Sequence, residues 1–162
     1  MYKPTRKHNR LKNYDYSSPG YYFITICTKN KKTLFGKIVV GASIARPYEM
    51  ILSDSGEIVK NAIERISDYY PMINVDNYVI MPNHIHLLLQ IIPDKNGRPM
   101  VAPTVSVVIQ QLKGAVTKQL GFSPWQKLFH DHIIRDKTDY ENIWNYIEFN
   151  VLKWEQDCFY CN

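Results

Sequence analysis

Along this chain, stretches with apolar residues at every second position alternate with stretches where they recur every third or fourth. Tyr21-Tyr22-Phe23-Ile24-Thr25-Ile26-Cys27-Thr28 follows the Ser17-Ser18-Pro19-Gly20 turn signal. It is rich in β-branched and aromatic side chains and predicts a central strand. Leu34 to Val40 and Tyr48 to Leu52 predict a short hairpin around a loop holding Gly41 and Pro47. Ser53 or Asp54 can cap a first helix, and Asp54 and Glu57 have capping-box spacing. Ile58, Val59, Ala62, Ile63 and Ile66 then recur at helical spacing as far as Tyr69-Tyr70-Pro71.

Two apolar strand segments follow, about 74–81 and 84–92, with Met81-Pro82-Asn83 between them. Pro93 to Pro103 is a loop by composition. A second helix over about 104–120 carries the stripe Val105, Val108, Ile109, Leu112 and Val116, with Lys113 off it, and Gly121 to Pro124 stops it. A strand is expected around His132-Ile133-Ile134-Arg135. The final helix, about Lys137 to Gln156, has the stripe Tyr140, Ile143, Trp144, Ile147, Val151 and Trp154. The order of elements predicts an α+β fold, a ferredoxin-like antiparallel sheet with helices packed on one face. No linker or repeat interrupts it, so 1–162 is expected to be one domain with 1–16 as a basic arm.

Charge adds a partner class. The net charge of +5 and sequence pI of about 9.0 suggest a polyanion. Arg6, Lys7, Arg10 and Lys12 in the arm read either as a solvated tail or as phosphate contacts. The start is polar, no apolar run reaches the ~20 residues of a membrane span, and the three cysteines are an odd number. A cytoplasmic protein is the expectation. Cys158 and Cys161 have metal-like spacing but no second pair beside them.

The candidate chemistry begins at His84 and His86. On a strand they leave the same side of the sheet, while Ile85, Leu87 and Leu89 leave the other toward a core. Such a pair is either half of a metal site or two hydrogen-bonded structural imidazoles. On the last helix, Tyr146 and Asn150 stand off the apolar stripe and share one edge. If that helix packs beside the His strand, Asn150 can offer an amide oxygen as third ligand and Tyr146 faces the same ion. Asp139 and Lys153 stand in the same column, but no carboxylate is obviously in the ligand set, so the site is expected to be positive and to meet a phosphate. A tyrosine that attacks a phosphodiester forms a phosphotyrosine and frees a hydroxyl, conserving the bond energy for rejoining.

With these residues, the chain resembles the REP-associated tyrosine transposases, within the HUH single-tyrosine superfamily. The match runs through Arg10-Leu11-Lys12-Asn13-Tyr14-Asp15-Tyr16, Tyr22 to Thr28, Leu34-Phe35-Gly36, and Val79 to His86. It continues through Trp125-Gln126, His132 to Arg135, and Tyr146-Ile147-Glu148-Phe149-Asn150. Val151 stands where the family often has proline. The resemblance implies Mg²⁺- or Mn²⁺-dependent, site-specific cleavage and joining of single-stranded DNA at hairpin-forming repeats. Tyr146 would be the nucleophile, and His84, His86 and Asn150 the metal ligands. Arg6, Lys7, Arg10, Lys12, Lys113, Trp125 and Arg135 are candidate DNA contacts, although Trp125 and Arg135, with His130 and His132, read equally as packing residues of an edge strand. Monomer and homodimer both remain open. A non-catalytic, domesticated hairpin binder is the main alternative. A metal hydrolase that dispenses with Tyr146 and a purely structural metal site are the others.

Overall fold

The computed structural model describes residues 14–43, 46–93 and 103–160. The arm residues Arg6, Lys7, Arg10 and Lys12, most of the 93–103 loop, and Cys161 lie outside them. The elements follow the pattern. They are β1 Gly20–Cys27, β2 Gly36–Ser43, β3 Arg46–Leu52, α1 Asp54–Glu64, α2 Ile66–Tyr69 and β4 Ile73–Met81. Then come β5 His84–Ile91, α3 Val105–Leu120, β6 His130–Ile134 and α4 Lys137–Glu148. Short 3₁₀ turns cover Lys29–Lys31 and Trp154–Gln156.

The main sheet has the order β4-β5-β1-β6, and each described pairing is antiparallel. β2 and β3 form a separate hairpin. Ser53 caps α1 by accepting from the Gly56 backbone N–H, and its hydroxyl donates to the Leu34 carbonyl at 2.7 Å. That ties the hairpin's base to the helix start. Thr104 caps α3, and Gly121, at φ +75°, ends it in the left-handed conformation glycine favours.

The alternation expected of β5 is observed. Ile85, Leu87 and Leu89 join Ile24 and Ile26 of β1 on a face covered by Val59 and Ile63 of α1 and the α3 stripe. Helices on this one face account for α1, α2 and α3. The fourth departs from the expectation. α4 lies on the opposite face, where Ile147 packs on Leu88 and Ile134 with Tyr140, Ile143 and Trp144 around them. β1 and β5 are central strands, so their second face is also apolar at Phe23 and Leu88 and needs cover.

α4 is also shorter than expected, ending at Glu148 rather than Gln156. The Phe149 N–H closes the helix on Asn145 and Ile147 carbonyls, and the Lys153 N–H caps onto Phe149 and Asn150 carbonyls. Beyond that turn the chain doubles back, burying Trp154 against His84, with ring centroids 5.9 Å apart. Val151 and Trp154 thus extend the sequence pattern without extending the helix.

Candidate active site

The site is built on the β4–β5 turn. Met81 pairs with His84, leaving Pro82 and Asn83 as the two turn residues. The neighbouring strand places Cys27 beside His84 and Thr25 beside His86. Both imidazoles leave the α4 face, as alternation requires, and both are buried. Their Nε2 atoms lie 3.0 Å apart. The outward nitrogens are held from behind. His84 Nδ1 is 2.8 Å from Asn83 Oδ1, and His86 Nδ1 is 2.8 Å from Thr25 Oγ1. Phe23 stacks beneath His86 at 5.1 Å, and Phe159 lies 4.6 Å from His84.

α4 brings Tyr146 against this pair. Its hydroxyl is 3.3 Å from His86 Nε2, and its ring stands edge-on to Phe23. The residue is 39% exposed, so the phenol is reachable from outside while its oxygen faces the imidazoles. Asn150, one turn later in sequence, is only 3% exposed, and its Oδ1 has no hydrogen-bond partner. It sits in the turn after α4 rather than on the helix, yet still reaches the same spot.

A carboxylate enters that the helical pattern did not announce. Asp157, on the doubled-back segment, has Oδ2 3.9 Å from His84 Nε2 and accepts from the Tyr146 hydroxyl and the Asn150 amide, each at 3.4 Å. Its Oδ1 accepts from the Phe159 backbone N–H at 2.8 Å. One ligand atom each from His84, His86 and Asp157 fall within 4.8 Å of one another. The expectation of a site without a carboxylate is therefore corrected. Helical spacing could not name it, because α4 ends at Glu148 and Asp157 comes in on the doubled-back segment.

Burial governs the titration of these groups. It lowers His84 to about 4, with Asp157's charge pulling the other way, and lowers His86 well below its ordinary value, with His84 adding to the effect. Both rings are neutral at physiological pH and can offer lone pairs. Burial, followed by the Asp157 charge, pushes the Tyr146 phenol up to about 12, while the Asn150 hydrogen bond opposes the rise. Two imidazole nitrogens and a carboxylate form a mixed N/O donor set compatible with a divalent ion.

The other candidates scatter. Trp125 is 6% exposed, packs 5.2 Å from Phe35, and donates its indole N–H to the Lys113 carbonyl. The Lys113 amine donates to the Gln126 and Lys127 carbonyls. Trp125 is packed inside the fold, and the half-buried Lys113 spends donors on backbone carbonyls. Arg135 is exposed at the end of β6, its backbone N–H directed at Asp139. His132 pairs with that same carboxylate at 2.8 Å, and His130 stands beside Thr25 in the sheet. Cys158 is a free, exposed thiol. Among the described residues no helix is long and apolar enough to cross a membrane.

No protein-family model matches the chain. A Haemophilus influenzae protein known only as uncharacterized is 37% identical over 174 residues, covering 96% of this chain and 93% of its own. A second protein of that organism, named "Putative REP-associated tyrosine transposase", is 27% identical over 88% of this chain and 77% of its own. Among solved structures, a REP-associated tyrosine transposase bound to a REP hairpin superposes with TM-score 0.64 at 20% identity, over 90% of this chain and 74% of that one. The chain belongs to one family with the first Haemophilus protein, and its fold is that of the REP-associated tyrosine transposases its motifs resemble.

Proposed function

We propose that this protein is a metal-dependent, site-specific endonuclease and strand transferase for single-stranded DNA that forms hairpins, working through a covalent phosphotyrosine. The observation that carries the reading is the Tyr146 hydroxyl, 3.3 Å from His86 Nε2 at the mouth of the His84, His86 and Asp157 cluster. A pure binder has no use for a nucleophile aimed at a ligand cluster. That the solved fold relative was bound to a REP hairpin suggests the substrate class for this chain.

His84, His86, Asp157 and Asn150 would hold Mg²⁺ or Mn²⁺, which when bound supplies positive charge to a phosphoryl oxygen. The chain's own residues do the rest. Phe23 and His86 fix the Tyr146 ring, so the phenol reaches the phosphorus with little loss of freedom. The phenol loses its proton as its oxygen bonds to phosphorus. The phosphorus–oxygen bond to the leaving sugar breaks, and that hydroxyl takes up a proton. Attack of a hydroxyl on the phosphotyrosine reverses these changes and rejoins a strand. With burial, and after it the Asp157 charge, pushing its phenol up to about 12, Tyr146 is a weak nucleophile until it is deprotonated or aligned on the phosphate.

The test is labelled single-stranded hairpin DNA from repeats flanking the gene, incubated with Mn²⁺ or Mg²⁺ beside Tyr146→Phe. A metal-dependent protein–DNA adduct that survives denaturation and vanishes in Tyr146→Phe is expected. Cleavage that persists in Tyr146→Phe without an adduct would replace this reading with a hydrolase. Binding without cleavage under either metal would replace it with a domesticated binder.

A further inference from the structure

We propose that Asn83 is a positioning residue that fixes His84 as its Nδ1–H tautomer, presenting a bare Nε2 to the ion site, while Thr25 allows His86 to change tautomer when an ion arrives. The metal half of this rests on the reading above; the tautomer half does not.

Asn83 is fully buried in the β4–β5 turn. Its amide nitrogen donates to the Phe159 carbonyl at 2.8 Å and the Lys31 carbonyl at 3.3 Å. Carbonyl oxygens only accept, so the amide cannot be turned over without setting its own oxygen against both. That leaves Oδ1 facing His84 Nδ1 at 2.8 Å. An amide oxygen also only accepts, so Nδ1 must carry the proton. A neutral imidazole has one N–H, and Nε2 of His84 is therefore a lone pair directed inward.

His86 is held differently. Its Nδ1 faces the Thr25 hydroxyl at 2.8 Å, which both donates and accepts. The two Nε2 atoms are 3.0 Å apart, and His84 brings no proton to that contact. The Tyr146 hydroxyl, 3.3 Å from His86 Nε2, directs its proton to Asp157 Oδ2, so His86 supplies the proton of the contact: in the metal-free protein it is the Nε2–H tautomer and Thr25 donates to Nδ1. An ion that takes both Nε2 lone pairs needs the His86 proton on Nδ1, donated to Thr25. The net proton count is unchanged, and the threonine hydroxyl only turns round. One imidazole is preset by a partner with a single role, and the other adapts through a partner with two. Such partners behind a metal-bound histidine set its tautomer and basicity.

The test reads nitrogen-15 signals of the histidine rings in metal-free protein and with Mg²⁺, and Mn²⁺ affinity by electron spin resonance. Metal-free wild type is expected to show His84 as Nδ1–H and His86 as Nε2–H, and Mg²⁺ to convert only His86. Asn83→Leu should lower Mn²⁺ affinity about 10- to 100-fold, whereas Asn83→Asp, which keeps the acceptor but loses the donors to Phe159 and Lys31, should stay within about threefold or bind tighter. Thr25→Val should weaken binding and Thr25→Ser restore it. A metal-free wild type with His84 as Nε2–H overturns the proposal. So does equal weakening in Asn83→Asp and Asn83→Leu, which would mean that Asn83 merely anchors the tail. If Asn83→Leu does not fold, the wild-type spectra and Asn83→Asp still decide. A wild type that binds no Mn²⁺ yet shows His84 as Nδ1–H sinks the metal reading and upholds the tautomer.

Discussion

Replacing Asn150 with leucine should make the metal-free protein more stable while removing its response to metal. Asn150 is 3% exposed with its Oδ1 unpartnered, and a buried acceptor without a donor costs roughly 1–3 kcal/mol. Leucine has the same number of side-chain heavy atoms and no such oxygen. Against this, the variant loses the amide's long hydrogen bond to the Asp157 carboxylate, at 3.4 Å, and its bond to Tyr146, which together offset about 1 kcal/mol of that gain. The net expectation is a gain of about 1 kcal/mol, or roughly 2–4 °C in Tm for a chain of this size. Wild type with divalent ion at about 100 times its Kd should gain about 2.7 kcal/mol, several degrees more. The variant should gain little, because the oxygen left waiting for the ion is gone. Thermal unfolding followed by circular dichroism, with chelator and then with Mn²⁺, reads both effects. A variant that melts below wild type in chelator would show that the Asn150 oxygen is not orphaned. One that keeps the full Mn²⁺ shift would show that it is no ligand. This trade of stability for function is the pattern expected of an unsatisfied site group.

Other perturbations read other parts of the fold. Leu88→Ala, in the small cluster that seats α4, should cost about 2–5 kcal/mol in urea unfolding and weaken adduct formation with it, since Tyr146 rides on that helix. Stability unchanged within error would mean that α4 is not seated there. Gly36 has φ +145°, and a Cβ there would run into the Ile51 carbonyl oxygen, so Gly36→Ala should destabilise by roughly 1–3 kcal/mol, read by the same unfolding. Acid should also destabilise. Burial holds His84 down to about 4 and His86 well below its ordinary value, whereas the unfolded imidazoles take protons from about pH 6.5 downward. Stability is therefore full above that pH and lost as pH falls toward 4, by up to about 1.4 kcal/mol per pH unit for each proton. Urea midpoints that stay flat between neutral pH and about pH 5, in chelator, would contradict the burial of these rings.

Much of the fold was legible because it rests on period-two and period-3.6 patterns that local sequence carries by itself. Ile85, Leu87 and Leu89 against His84 and His86 give the two faces of β5 outright, and the α3 stripe is buried residue for residue. The side on which α4 packs was not legible, because a stripe says that a helix buries one face but not against which layer. Nor was the end of α4. Val151 and Trp154 keep the helical spacing, yet the helix ends at Glu148 and Trp154 packs against His84 instead. The partners of Lys113 and Trp125 were not legible either: each engages the other's segment, amine to the Gln126 carbonyl and indole to the Lys113 carbonyl.

Asp157 changes the electrostatics of the reaction proposed for this site. Two neutral imidazoles and an amide around a divalent ion leave a net charge of +2 to meet a phosphate; with the Asp157 carboxylate the sum is +1. That lowers the attraction such a site has for a phosphate. It also ties the nucleophile to the ligand cluster. The same carboxylate that could hold the ion accepts the Tyr146 hydroxyl at 3.4 Å and helps push the phenol up to about 12. Its own position depends on the doubled-back segment, whose Phe159 carbonyl is held by Asn83 behind His84. Ligand placement, imidazole tautomer and nucleophile protonation thus share one set of hydrogen bonds, and a change at any one of Asn83, Tyr146 and Asp157 should be felt at the other two.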